Sequence, residues 1–286
     1  MSERFRAFSF VDRITEFEAA RRAAGSFHVP AGAGRFPPTL VAEAVGQLAA
    51  WVAMAHVDFG RRPVAALAGE ARFLAAVRPG DTLQLAVDID SCDAEGVAYR
   101  GRASVAGRRV LELERCFGPM LPQVDFDDPA AVRGDFALLR DGGAPSDRFP
   151  GVPALAAVPG EGVAGEWAAA ALDVPASAPF FGDHFPRRPV FPATLLLDVQ
   201  TRLALALARG AAGWRAGEEP QLARMRDVKM RAWILPGQRV ELRAELAAPA
   251  AGAAAVKLSA RVAGATVATA RAEIAPARTD AAAERA

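Results

Sequence analysis

The chain repeats itself, and that repeat limits what it can fold into more than any other feature. Arg72 to Ile89 (RFLAAVRPGDTLQLAVDI) reads on Lys229 to Leu246 (KMRAWILPGQRVELRAEL), with the turns Pro79-Gly80 and Pro236-Gly237 lying 157 residues apart. Ala103 to Glu114 (ASVAGRRVLELE) returns as Ala260 to Arg271 (ARVAGATVATAR) at the same offset of 157. Apolar and polar residues alternate in these segments and break at glycine, the pattern of antiparallel strands joined by hairpins. Upstream, Pro37 to Ala55 pairs with Pro192 to Ala208 at an offset of 155. Both stretches are rich in Ala and Leu, which reads as helices buried nearly all round. Each copy therefore predicts a strand, a buried helix and several antiparallel strands. That is an α+β architecture in two tandem repeats, each a curled antiparallel sheet wrapped around a long helix.

The two copies differ at one place. HVPAGAGRF (His28 to Phe36) matches DVPASAPFF (Asp173 to Phe181) at an offset of 145, so the second copy holds ten residues that the first lacks, GDHFPRRPVF, Gly182 to Phe191. The repeats are predicted over 1–121 and 151–276. A connector rich in Asp, Gly and Pro (122–150) carries a short helix near Pro129 to Leu139, and residues 277–286 form a frayed tail.

Bulk properties exclude several classes. With 52% hydrophobic residues in 286, the chain can bury a sizeable core. A net charge of +1 with no basic run gives no reason to expect nucleic acid or an anionic membrane as partner. Cys92 and Cys116 are the only cysteines and stand in no ligand pattern, so neither a disulfide framework nor a metal site is expected. No cofactor-binding signature occurs. Leu40 to Val57 is borderline in length for a bilayer, carries Glu43 and Gln47, and reads better as a core helix. Without an export signal in the first residues, the cytoplasm is the expected location.

The inserted segment and the helix behind it carry a recognisable pattern. In FFGDHFPRRPVFPATLLLD (Phe180 to Asp198), His184, Phe185, Pro186, Pro189, Val190 and Pro192 are followed by Asp198, fourteen residues after His184. This segment resembles the loop-helix signature of bacterial 3-hydroxyacyl-acyl-carrier-protein dehydratases, and of the related dehydratase domains of polyunsaturated fatty-acid and polyketide synthases. The opening Phe10 to Ile14 (FVDRI) and the strand from Arg72 resemble them too. The resemblance implies a double hotdog fold. It also implies removal of water from 3-hydroxyacyl thioesters to give trans-2-enoyl thioesters, with acyl carrier protein as partner and lipid or polyketide synthesis as setting. Two departures stand out. The family's glycine after the second proline is Ala193, whose N–H is expected to face the thioester carbonyl, and the first copy has no His loop, although Glu43 occupies the place of Asp198.

Dehydration needs a base for the C2 proton, an acid for the departing C3 hydroxyl and a donor to the thioester oxygen. His184 suits the first role, since a neutral imidazole accepts a proton near pH 7. Glu43 or Asp198, on buried helices, suits the second, and the helix starting near Ala193 can aim free N–H groups at the carbonyl. In the related dimers each site joins the histidine of one hotdog to the acid of the other. Carried onto a fused pair, that favours His184 with Glu43, leaving the pairing with Asp198 as the rival. Phe181, Phe185, Pro192, Ala193 and Gln47 are the expected substrate-lining residues. Gln47, one helical turn after Glu43, can also hydrogen-bond its carboxylate or be an ordinary buried amide. Arg187 and Arg188 suit a phosphopantetheine, an acidic carrier or plain solvent. His28 is a candidate second histidine, and His56 a cap at the end of its helix. Two rival functions remain open: a hotdog thioesterase using the helix carboxylate alone, and a non-catalytic acyl-binding or scaffold subunit. The fused pair is expected to act as a dimer within one chain, with further self-association left open.

Overall fold

The computed structural model of the chain describes residues 5, 7–145, 148–211, 214, 219–250 and 253–276; the predicted tail, 277–286, lies outside them. In chain order the elements are β1 (Arg13–Glu18), β2 (Arg22–His28), α1 (Pro38–His56), β3 (Arg61–Pro63), β4 (Leu67–Phe73), β5 (Thr82–Cys92), β6 (Gly96–Val105), β7 (Arg108–Pro122), α2 (Pro129–Asp141), β8 (Val158–Val163), β9 (Trp167–Asp173), α3 (Ala193–Arg209), β10 (Pro220–Met230), β11 (Arg239–Ala250), β12 (Ala253–Val262) and β13 (Ala265–Pro276).

These strands make one antiparallel sheet that runs β1-β2-β5-β6-β7-β4 and continues β10-β13-β12-β11-β9-β8, with β3 paired beside β7. The second run is the first in reverse, each strand replaced by its repeat counterpart. They meet where β4 pairs with β10, Ala71 standing opposite Met225. The hairpins show why the sequence folds this way twice. Ala106-Gly107 and Ala263-Gly264 both hold two successive positive φ angles (48° and 79°, 48° and 80°), as the tight turn that suits strand twist requires. Gly80 and Gly237 likewise take positive φ at the two Pro-Gly turns, each donating its N–H back to the strand before the helix, to Val29 and Val174.

α1 packs on β2, β5 and β6, α3 on β9, β10 and β11, and the two helices touch each other. Pro38 opens α1 at a position where its missing N–H costs nothing. The helix closes where Asp58 and Phe59 turn left-handed (φ 52° and 58°), which folds Phe59 back into the core. Leu40, Val45, Leu48 and Val52 are fully buried, at about 1.5–3 kcal/mol for each such side chain. By length and composition α1 could cross a membrane, yet 56% of that window is buried against the sheet. His56 lies in its last turn, as a cap would. The connector helix α2 starts one residue after Asp128, whose side chain accepts the Ala130 N–H at 3.1 Å. Before each long helix the structure adds a strand, β1 or β8, that periodicity did not single out.

Candidate active site

The ten inserted residues form a loop closed on itself. His184 donates its N–H to Phe180 O at 2.9 Å, Val190 returns one to His184 O at 3.1 Å, and Phe191 bonds Ile234 O at 2.8 Å. The His184–Phe185 peptide is cis. Asp183 accepts the N–H groups of Ala7 and Phe8, both at 2.8 Å, which draws the N-terminal segment over the loop. Phe8 then stands edge-on to the imidazole at 5.5 Å. Phe185 stacks on the imidazole at 4.2 Å, with the Arg62 guanidinium 3.9 Å from its ring centre and Phe126 edge-on at 5.2 Å.

The hydrogen bonds determine which nitrogen of His184 is basic. Nδ1 lies 3.0 Å from the Val190 carbonyl oxygen. A carbonyl only accepts, so Nδ1 carries the hydrogen and Nε2 presents a lone pair. Burial lowers the His184 pKa below its ordinary value. The Glu43 carboxylate and the Val190 bond oppose this, the positive Arg62 adds to it, and the balance is downward. The ring is therefore neutral at pH 7.

Glu43 lies on α1 in the other half of the chain, and its charge acts on that imidazole. Gln47 Nε2 donates to Glu43 Oε1 at 3.0 Å, and Thr194 Oγ1 donates to Oε2 at 2.8 Å. Gln47 also accepts the Phe10 N–H at 2.8 Å and donates to Phe8 O at 3.0 Å. With its oxygen committed to an N–H, the amide can face only one way. Thr194 is the second residue of α3, so the carboxylate sits where the N-terminal ends of both long helices converge.

Glu43, Gln47, His184, Phe185, Ala193 and Thr194 all open on one cavity of about 280 Å³. α3 starts behind Pro192, which supplies no side-chain cap. The N–H groups of Ala193 and Thr194 point out of the helix with its positive dipole end. Ala193 is absent from the positive-φ residues, so a methyl group in place of the family's glycine strains nothing in the backbone.

Three expected site residues fall elsewhere. Phe181 packs in the core against Phe180, centroids 4.5 Å apart. Pro192 caps α3 with an extended backbone rather than lining the cavity. Asp198 is buried and turned away from His184. Arg35 Nη1 donates to its Oδ1 at 3.0 Å, Arg35 Nη2 bonds Oδ2, and Arg202 Nε lies 3.4 Å from Oδ2. The explanation is the missing loop: Arg35, just before the gap in the first copy, reaches the carboxylate of the second. His28 ends β2 with Nδ1 3.1 Å from Thr82 Oγ1, off the cavity. Arg187 bonds the Val124 carbonyl at 3.1 Å, and Arg188 lies over Phe126 and Trp233. The two arginines thus hold the connector on the loop. Sequence reasoning passed over Asp183, Thr194, Phe8 and Arg62. Only Thr194 had a signal: Thr39 occupies its place in the first repeat.

Comparison with known proteins agrees with this geometry. The ApeI dehydratase family model (ApeI-like) matches residues 162–270, the stretch that holds His184. A 3-hydroxyacyl-acyl-carrier-protein dehydratase FabZ of Bacillus velezensis is 41% identical over 124 residues, covering 38% of this chain and 86% of its relative. The one from Thermomicrobium roseum is 36% identical over 128 residues, covering 41% and 85%. Among solved structures, a putative oleoyl thioesterase from Lactobacillus plantarum superposes with a TM-score of 0.59 at 11% identity, covering 90% of this chain and 97% of that one. The 12:0-ACP thioesterase of Umbellularia californica gives 0.55 at 11%, covering 90% and 94%. At such identity these two speak for the hotdog fold alone. The FabZ relatives, matched over most of their own length, decide the family: this chain belongs to the 3-hydroxyacyl-acyl-carrier-protein dehydratases.

Proposed function

We propose that the chain removes water from 3-hydroxyacyl thioesters carried by acyl carrier protein, giving trans-2-enoyl thioesters at one active site per chain. In this reading it is a tandem double hotdog, with repeats at 1–121 and 151–276 joined by 122–150, acting as a dimer within one polypeptide. The observation that carries the site is that the lone pair of His184 and the carboxylate of Glu43, from opposite repeats, share one cavity beside the start of α3.

His184 Nε2 takes the C2 proton, and charge gathering on the thioester oxygen meets the Ala193 and Thr194 N–H groups. The C3–O bond breaks as Glu43, in its carboxylic acid form, gives its proton to the leaving hydroxyl, which departs as water. Moving one proton from the imidazolium to the carboxylate resets the site. Thr194 accepts as readily as it donates, so it can serve Glu43 in both protonation states. Asp198, neutralised by Arg35, takes no part. A carrier protein fits because the thioester must enter on an arm while the acyl chain fills the cavity.

The test offers purified protein a 3-hydroxyacyl-acyl-carrier protein and the matching trans-2-enoyl form, and follows their interconversion beside thioester hydrolysis. Reversible loss of water without hydrolysis is expected, and His184→Ala abolishes it. Hydrolysis dominating in the wild type would favour the thioesterase reading; neither reaction would favour an acyl-binding subunit.

A further inference from the structure

We infer that Gly46 sets how long an acyl chain this enzyme accepts, and that the site takes medium to long chains; the inference rests on the dehydratase reading above. The cavity does not stop at the carboxylate. It continues along α1, lined by Ala42, Gly46, Ala50 and finally Trp51 and Met54. From Glu43 to Met54 the helix rises about 16 Å, the length of an extended chain of roughly a dozen carbons.

This face of α1 is built from small residues one turn apart. Its repeat counterpart on α3 is not: Ala42, Gly46 and Ala50 correspond to Leu197, Thr201 and Leu205. Ala42, Gly46 and Ala50 line the cavity with small side chains, whereas Leu197 meets it with a bulkier one and Thr201 lies buried off it, its Oγ1 bonded to Leu197 O at 2.7 Å. One half has hollowed out its helix face, and the other has filled it.

Gly46 is the narrow point. Glycine within a helix is destabilising by about 0.5–1 kcal/mol relative to alanine, so its position needs a reason. A Cβ there would lie 3.3 Å from the hydroxyl of Tyr99, which packs beside the glycine on the cavity wall. Tyr99 has Cys116 as its hydrogen-bond partner, and burial pushes that thiol up to about 12. The tyrosine and thiol therefore stay neutral beside the acyl chain. Larger side chains at position 46 would have to turn away from Tyr99 into the cavity, leaving the space near His184 and cutting off the reach toward Trp51.

The experiment measures kcat/KM for 3-hydroxyacyl thioesters of short (about four carbons) and long (about twelve carbons) chains, and reads the ratio of long to short. Gly46→Val is expected to lower that ratio by about 30-fold or more, the scale of discrimination by a few methylene groups in an apolar pocket. Gly46→Ala gives a smaller fall in the ratio with turnover of the short chain retained, a combination that damage to the fold would not produce. Thr201→Ala, at the matching place on α3, should leave the ratio within about twofold. A ratio unmoved by Gly46→Val in folded protein, or an equal loss at both lengths, overturns the proposal. Binding of non-hydrolysable acyl-pantetheine thioethers, read through the fluorescence of Trp51 and Trp233 on the cavity wall, reports the same ratio without turnover. Length-dependent binding that Gly46→Val shortens, with no dehydration by the wild type, would sink the dehydratase reading and leave this one standing.

Discussion

Glu43 and Asp198 hold the same position in the two repeats, and the structure gives them opposite surroundings. Glu43 meets neutral donors, Gln47 and Thr194, beside an imidazole held neutral by burial, and it opens on a cavity. Asp198 meets two guanidinium groups and is sealed, its side chain 5% exposed. The residue one turn later repeats the contrast, Gln47 against Arg202. An amide orients a carboxyl group without bringing a charge to it, whereas a guanidinium pairs it with one. Two copies of one helix thus give their carboxylates an open setting among neutral donors and a sealed ion pair. Where the first copy lacks the His loop, Arg35 reaches across to Asp198.

The strongest test of this asymmetry is activity. His184→Ala should reduce kcat by about 10³-fold or more, and Glu43→Gln by about 10²–10⁴-fold, with Tm nearly unchanged, as expected for groups acting on the reacting proton. Asp198→Asn should cost less than about fivefold in kcat; a loss matching that of Glu43→Gln would erase the distinction between the two corners. Next in size is Thr194→Val, which removes one of the two donors on Glu43 and should lower kcat by about tenfold, while Thr39→Val on the opposite helix, whose hydroxyl is buried without a hydrogen bond, leaves activity unchanged.

Arg35→Met carries the comparison to stability. It leaves the buried Asp198 carboxylate to Arg202 alone. A charge-assisted hydrogen bond to a buried group contributes about 1.5–3 kcal/mol, and the half-exposed arginine is screened by water. A loss of about 1–2 kcal/mol is expected in denaturant titration, with kcat/KM retained. Equal losses of stability and turnover would mean that the Asp198 corner supports the active one.

The smallest effect is in pH. The lowered His184 pKa puts the acid limb of kcat/KM below the ordinary histidine value, because activity falls as protons bind the imidazole. Arg62 contributes to the lowering, so Arg62→Met should move the acid limb toward higher pH. A limb that stays in place would show that Arg62 acts on Phe185 only by packing.

The repeat, the hairpins and both long helices were legible because they rest on local chemistry: alternating strands, Pro-Gly and Ala-Gly turns, and apolar helices that begin at Pro37-Pro38 and Pro192. His184 was legible because it sits in the one stretch that breaks the repeat, and Glu43 because it shares a repeat position with the acid of the signature. Phe181 and Pro192 fall off the cavity because adjacency in a motif does not say which side of a loop faces it.

Sequence alone therefore determined the elements, their doubling and the histidine, since each depends on residues within a turn or a strand of one another. Tertiary structure alone gave the two carboxylates their different partners. Thr194 lies 151 residues from Glu43, and Arg35 lies 163 from Asp198. Only when β4 and β10 join the two halves do these partners meet, and the difference between an open carboxyl group and a sealed ion pair lies in that meeting.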